Sequence, residues 1–289
     1  MRDDVVLVTG AAGRLATVVA DAFADRPVIA VTRAQCDITD PAAVRQVVSQ
    51  AEPAVIINCA SYNDVDGAED APSDALRVNA SGVCSLARAA EESGATLVHY
   101  STDFVFDGEG STPYDEGHPP GPRGAYAVSK LLGEWFALDA PGAYVLRVAS
   151  LFGCRPGWTG PSGTIDTMVG DLRDGREIRV FTDRVVSPSY MADVALATRY
   201  LVDGPAQPGM YHCVNSGNAS WKDVAEEAAR LLGITPCLVP VKQAQVALRA
   251  PRPKYCALSN AKLADAGFTM PPWQDAMRRW LLAGPGARQ

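Results

Sequence analysis

A chain of 289 residues can bury one large core and carry a smaller appended lobe, and 47% hydrophobic content predicts an ordinary soluble globule. A formal charge of −7 argues against nucleic acid as a partner. Apolar stretches fall short of a membrane span, and Met1-Arg2-Asp3-Asp4 leads directly into an apolar run. Neither a membrane anchor nor a signal peptide is expected, and the expected location is the cytoplasm. The seven cysteines are scattered, odd in number and without CxxC spacing, so they read as reduced core residues. His99, His118 and His212 stand apart from one another, so no metal site is expected, and His99 reads as a packed core residue.

In chain order, Val5-Val6-Leu7-Val8 is rich in β-branched residues, as a fully buried parallel strand should be. It runs into Thr9-Gly10-Ala11-Ala12-Gly13-Arg14-Leu15-Ala16, after which Val18, Val19, Ala22 and Phe23 recur at helical spacing. Strand, glycine turn and helix form the context of a dinucleotide fingerprint, here spaced GxxGxxA. Gly10 permits the tight turn, and Gly13 lets the backbone approach a pyrophosphate at the helix N-terminus. Gly10, Ala12, Gly13, Arg14 and Leu15 are therefore the expected cofactor contacts of this turn. Strands near Val5–Thr9, Val28–Val31, Val55–Asn58, Thr96–Ser101 and Tyr144–Ala149 alternate with helices near 14–25, 41–50, 72–92 and 125–138. That alternation predicts an α/β fold with a doubly wound parallel sheet. After the second strand the chain reads Val31-Thr32-Arg33, without the acidic residue that would accept bonds from an NAD ribose. Arg33 and Arg14 can instead pair with a 2′-phosphate, which favours NADPH, with NADH as the alternative.

An apolar strand ends at Ser101-Thr102, where open α/β sheets place their ligands, and a hydroxyl there can hydrogen-bond a substrate carbonyl. Tyr126 and Lys130 follow in Gly124-Ala125-Tyr126-Ala127-Val128-Ser129-Lys130. A four-residue step returns to the same helix face, so phenol and ammonium converge. The ammonium is expected to lower the phenol pKa from ~10, making Tyr126 a proton donor to a carbonyl or alkoxide oxygen. Beyond Ser150 the texture changes. Cys154 to Gly163 is crowded with glycine and proline, a loop able to arch over a substrate. Helices are expected at Ile165–Asp174, Met191–Leu201 (returning to the sheet), Trp221–Leu232 and Gln274–Leu282, a strand at Ile178–Phe181, short strands from Gly209, and a frayed end from Gly284 to Gln289.

The glycine turn, Asn58-Cys59-Ala60-Ser61-Tyr62, Ser101-Thr102-Asp103-Phe104-Val105-Phe106-Asp107-Gly108 and the Tyr126/Lys130 pair together resemble the extended short-chain dehydrogenase/reductases. Within them the chain is similar to the dTDP-4-dehydrorhamnose reductase family. Val180-Phe181-Thr182-Asp183-Arg184, Val186-Ser187-Pro188-Ser189-Tyr190, Tyr211-His212, Ser220-Trp221 and Arg252-Pro253 extend the likeness nearly end to end. The resemblance implies a Rossmann domain over residues 1–152, with 185–203 returning to it, and a smaller substrate lobe over most of 153–289. It implies that Asp37-Ile38 line the adenine, that Cys59-Ala60-Ser61 pass near the nicotinamide ribose, and that Asn79 helps build the active site. It implies reduction of a keto sugar carried on a nucleotide diphosphate. Thr102 would orient the carbonyl, Tyr126 would donate the proton, and Lys130 would tune Tyr126 and bond the nicotinamide ribose. Asn63 and Asp103 would lie toward the substrate, and Arg184 and Arg252, with Arg249 and Lys254 as further candidates, would meet its diphosphate. A homodimer is compatible with the resemblance.

Departures from the family pattern touch the substrate. Leu151, in Ser150-Leu151-Phe152-Gly153, replaces an indole that would stack on the sugar, and Asn63 stands where threonine is common. They leave the particular sugar open. An epimerase or dehydratase would share the cofactor and the Tyr/Lys pair, but dehydratases follow the threonine with Asp-Glu, and here Asp103 precedes Phe104. A binding module such as the regulatory beta subunit of methionine adenosyltransferase resembles the same group. Retention of Thr102, Tyr126 and Lys130 argues for turnover.

Overall fold

The computed structural model describes residues 4–155 and 157–283. The expectations for Gly284–Gln289 and for the start of the chain ahead of Asp4 lie outside the described residues. Among the described residues, six parallel strands form the central sheet. Val6–Thr9 (β1), Val55–Asn58 (β3), Thr96–Thr102 (β4) and Tyr144–Val148 (β5) are buried almost throughout. Strands covered by helices on both faces must be apolar on both faces, which explains these near-continuous Val/Ile/Leu runs. Val28–Val31 (β2) is an edge strand, and its Ile29 is exposed.

Across the sheet the order is Gly209–His212, β5, β4, β3, β1, β2. The chain winds outward from β1 to β2 in one direction and from β3 to β5 in the other. The order therefore reverses between β1 and β3, and the crevice at their carboxyl ends is where such sheets receive ligands. The sequence places Gly209–His212 in the smaller lobe, but it is the sixth sheet strand, with Tyr211 opposite Leu146 of β5. The reason is packing. Tyr211 and Cys213 share one core with Val194, Ala197 and Leu201 of the helix Met191–Asp203, so burying that helix draws the strand in.

The expected helix over 72–92 is Pro72–Leu76, a π-helical turn at Arg77–Ser81, and Gly82–Ser93. π turns are rare and collect at functional sites. Asn79 sits inside this one and is buried. The helix Ala125–Leu138 starts at Gly124, whose φ of +89° suits glycine. Its first N–H, on Ala125, donates to Glu69 Oε1 at 2.7 Å, so a side chain from the short helix Gly67–Asp70 supplies the cap.

A second core holds Phe152, Ile165, Leu172, Val224, Ala228 and Met277. It joins the helices Thr164–Arg173, Trp221–Leu232 and Trp273–Ala283, beside a parallel pair of strands, Glu177–Phe181 and Cys237–Val241. Ser220 opens the second of these helices with a capping box, its hydroxyl accepting from Asp223 N–H at 3.1 Å. All seven cysteines are unpaired. Cys36, Cys213 and Cys256 are buried, but Cys237 is on the surface.

Gly133 faces the π turn, and a Cβ added there would stand 2.2 Å from the Asn79 carbonyl oxygen. Backbone cannot yield as a side-chain end can. Overpacking costs about 1–3 kcal/mol, more than the ~1 kcal/mol that alanine gains over glycine in a helix. Gly133→Ala is expected to lose about 1–2 kcal/mol of stability, read as a lowered urea midpoint with unchanged slope.

Candidate active site

A cavity of about 570 Å³ lies at the carboxyl ends of β1, β3, β4 and β5, between the sheet and the second core. Gly13–Ala16 and Asn58–Ser61 form one wall, Thr102–Phe104, Tyr126 and Lys130 the middle, and Ser162–Ile165, Arg179, Phe181, Arg184, Trp221 and Arg252 the far side. The glycine-rich segment expected to arch over the site contributes Ser162 and Gly163 to its lining.

Close backbone approach builds the first wall. Gly10 has φ +70°, and a Cβ there would lie 2.6 Å from Ala60 N, so only glycine lets the first turn lie against the segment after β3. Polar side chains then lock the strand ends together. Thr9 Oγ1 donates to Asn58 Oδ1 at 2.7 Å, the same oxygen accepts Ala60 N–H at 3.1 Å, and Asn58 Nδ2 meets His99 Nδ1 at 3.0 Å. Gly13, Arg14 and Leu15 reach the cavity, and Gly10 and Ala12 do not line it.

Three consecutive residues of β4 meet three turns of the helix Ala125–Leu138. The Tyr100 carbonyl accepts from Lys130 Nζ at 2.6 Å, Ser101 Oγ donates to Glu134 Oε1 at 2.6 Å, and the Thr102 hydroxyl is within reach of the Tyr126 phenol. Ser101 is thus engaged by Glu134, leaving Thr102 as the hydroxyl of the pair beside Tyr126. Thr102 Oγ1 also donates to Asp103 Oδ1 at 3.0 Å and accepts Phe104 N–H at 3.2 Å. The Phe104 ring stands edge-on to Tyr126, centroids 5.9 Å apart.

Electrostatics reverses one expectation. Burial raises the Tyr126 phenol to about 12, and Lys130 is not among the groups acting on it. The ammonium is spent on the Tyr100 carbonyl instead of the phenol, so desolvation decides the sign. Burial also pulls Lys130 down to about 8, against Glu134, and raises the Asp103 carboxyl to about 6.

Other expected site residues are placed differently. Asn79 spends its side chain on structure: Oδ1 accepts from Ser61 Oγ (2.9 Å) and Tyr62 N–H (2.8 Å), and Nδ2 donates to Tyr62 O and Ser129 Oγ (both 3.0 Å). It fixes the Ser61–Tyr62 segment rather than lining the cavity. Arg33, with a side chain 75% exposed, pairs with Asp37 at 3.2 Å, and these two and Ile38 lie off the cavity beyond β2. Arg14 lines the cavity but pairs with Asp166 at 3.1 Å. Asn63 and Cys59 line it.

Among the basic candidates, Arg249 is exposed and bound to Asp70 at 2.6 Å, and Arg252 bonds Asp66 at 3.0 Å from the cavity wall. Arg184 is buried against the cavity with Nε lacking a hydrogen-bond partner among the described residues, as does Trp221 Nε1. Sequence reasoning misses Arg179 and Glu134. A charged residue four positions after Lys130 is visible there, but its partners come from other strands. Ser150, with φ +44° and no glycine to ease it, also borders the cavity.

Lys130 has a measurable cost. Its pKa is lowered in the folded state, so between about 8 and its ordinary 10.5 the unfolded chain binds more protons and stability rises with pH. Below about 8 the full penalty applies, an upper bound of about 3 kcal/mol. Lys130→Met forfeits a hydrogen bond of about 1 kcal/mol. The variant is expected to be about 1–2 kcal/mol more stable than the parent at pH 7, a gain that vanishes toward pH 10.5 in paired urea titrations.

Comparison with known proteins agrees with this geometry. The family model described as RmlD substrate binding domain matches residues 4–283. A dTDP-4-dehydrorhamnose reductase of Mycolicibacterium smegmatis is 39% identical, covering 98% of this chain and 86% of the relative. A probable dTDP-4,6-dihydroxy-2-methyloxan-3-one 4-ketoreductase of Streptomyces antibioticus is 38% identical over 94% of this chain and 92% of its own. The crystal structure of a Bacillus anthracis dTDP-4-dehydrorhamnose reductase in complex with NADP superposes with a TM-score of 0.91 at 31% identity, covering 98% of this chain and 99% of that one. With the glycine turn, the parallel sheet and the Thr102/Tyr126/Lys130 set in place, the chain belongs to the RmlD family of extended short-chain dehydrogenase/reductases.

Proposed function

We propose that this protein is an NADPH-dependent reductase of a nucleotide-activated 4-keto-6-deoxy sugar. The observation that carries the reading is the buried Thr102, Tyr126 and Lys130 set facing one cavity with the glycine turn. The residues present fit a dinucleotide: the Gly10 turn lies against the Ala60 backbone, and Gly13 and Arg14 open onto the same cavity as Lys130. The cofactor supplies hydride. The related Bacillus anthracis reductase was crystallised in complex with NADP, which supports the choice of NADPH.

The chain's own residues do the rest. Tyr126, kept protonated by its dry surroundings, gives its proton to the sugar oxygen as negative charge develops there. Thr102 steers the carbonyl, exchanging Asp103 for the substrate as its hydrogen-bond acceptor. Lys130, tied to the Tyr100 carbonyl, would bond the nicotinamide ribose and bring positive charge to that side of the cavity. Arg184 and Trp221, each with an unpaired buried N–H at the wall, suit an oxygen-rich sugar diphosphate, with Arg252 beside them. Asp103 and Asn63 border the sugar. Residues 1–152 with 185–203 and the strand Gly209–His212 act as the nucleotide domain, and most of the remainder as the substrate lobe. We assign the protein to the cytoplasm. No helix among the described residues is long and apolar enough to cross a membrane. A homodimer is the assembly we expect.

Phe104, at the place where a dehydratase would carry a carboxylate, supports reduction over dehydration. Tyr126→Phe is expected to keep NADPH affinity and lower turnover of a dTDP-4-keto-6-deoxy sugar by on the order of 10²-fold or more. Equal turnover in the variant would remove Tyr126 from the mechanism. Appearance of a 4-keto sugar from a plain dTDP-hexose would favour the dehydratase reading instead.

A 2′-phosphate at Arg33 must compete with Asp37 and with solvent, so one charge-assisted bond, roughly a tenfold preference for NADPH over NADH, is expected. Arg33→Ala should erase most of that preference and leave NADH affinity nearly unchanged, as read by fluorescence titration of both cofactors. Equal affinities in the parent would refute the assignment of Arg33.

A further inference from the structure

We propose that Glu134 is a positioning residue that holds Lys130 in its ammonium form, the third member of a buried row running along one helix face from Tyr126. The inference rests on the proposed function only for its catalytic meaning. The geometry stands by itself. Tyr126, Lys130 and Glu134 are four residues apart on the helix Ala125–Leu138, and all three are buried. Glu134 has no exposed surface, yet its carboxylate is fully partnered: Arg147 Nε and Nη2 grip Oε1 and Oε2 at 2.8 and 2.7 Å, and Ser101 Oγ adds a third donor at 2.6 Å. Arg147 is itself buried on β5, over the Phe106 ring and 3.4 Å from His212 Nε2.

Two cations and one anion are thus enclosed together. Lys130 is faced by Cys59 from the end of β3, His99 and Tyr100 from β4, and Tyr126 and Glu134 from its own helix. Burial keeps four of these neutral: the thiol and both phenols are pushed up and the imidazole is pushed well down. Glu134 is the one that brings negative charge to the ammonium. Arg147 engages Glu134 from the adjoining strand. A buried Arg–Glu pair contributes little to stability on its own account, and apolar substitutes often serve as well. Its place one turn from Lys130 gives it a different use, because an opposite charge at such range favours the charged form of its neighbour.

The test reads Lys130 directly, with no need for turnover. The chain has five lysines, Lys130, Lys222, Lys242, Lys254 and Lys262, so ¹³Cε-labelled lysine gives a countable set of NMR signals in the full-length protein. The signal that disappears in Lys130→Met is expected to titrate below the other four. In Glu134→Gln its midpoint should fall by about one pH unit or more, whereas Glu134→Asp, which keeps the charge, should leave it within a few tenths of a unit. If Glu134→Gln does not fold, the double variant Glu134→Gln/Arg147→Met removes both charges of the pair and should lower the midpoint in the same direction but by less, because the two opposite charges partly cancel. An unmoved midpoint in whichever of these folds overturns the proposal, as does an equal shift in Glu134→Asp. Failure to reduce any keto sugar would refute the proposed function and leave this titration unaffected.

Discussion

An ammonium enclosed away from water is the constraint on which the centre of this molecule depends. Lys130 is bound by the Tyr100 carbonyl at 2.6 Å, and that contact fixes the helix Ala125–Leu138 against β4 at the depth where Tyr126 meets Thr102. Holding it there costs stability, because desolvation disfavours the charged form more than one carbonyl dipole restores. The surroundings are arranged accordingly. Gly133 lets the helix close onto the Asn79 backbone, Glu69 caps the helix start, and Asn79 ties the Ser61–Tyr62 segment to Ser129 on the same helix. These contacts make the helix a rigid carrier for two side chains that a looser fold would expel.

The raised phenol also bears on the direction of the chemistry. A tyrosine held protonated carries the proton that a developing alkoxide takes, whereas the phenolate needed to start the reverse step is scarce at neutral pH. Lys130 at about 8 and Asp103 at about 6, not Tyr126, are then the groups of the site that respond to pH near neutrality. Sequence alone points to the opposite division of labour, because a four-residue spacing reveals proximity and says nothing of burial, which here outweighs the charge of the neighbour.

What is legible in the sequence is local. The strand–turn–helix at Val6–Ala22, the buried strands and the Tyr126/Lys130 pair all follow from short-range pattern, and the structure has them at those positions. Asn79 illustrates the limit. Its four hydrogen-bond partners lie 17 to 50 residues away, so spacing can mark the residue but not its task. Arg14 and Arg33 divide in the same way. The Arg33–Asp37 pair is an i,i+4 contact readable from the chain, whereas the partner of Arg14, Asp166, is 152 residues distant. The strand Gly209–His212 is misplaced by sequence because nothing in four residues tells which sheet they will join; the neighbouring helix decides that.

The acidic total of the chain, −7, is compatible with an anionic substrate because charge is sorted locally. Around the cavity stand Arg179, Arg184 and Arg252, and they are not equivalent. Arg252 is engaged by Asp66 at 3.0 Å, so a diphosphate meeting it must displace a carboxylate and gains only the difference between two charge-assisted bonds. Arg184 keeps its Nε unpaired in a site where burial already disfavours its charge. An anion arriving there displaces no partner from that N–H and relieves an existing desolvation cost, so on the proposed reading it is worth more per bond than at Arg252. The sequence offers Arg184 and Arg252 alike. The physical ordering is set instead by which guanidinium has already found a partner, and it puts Arg184 ahead.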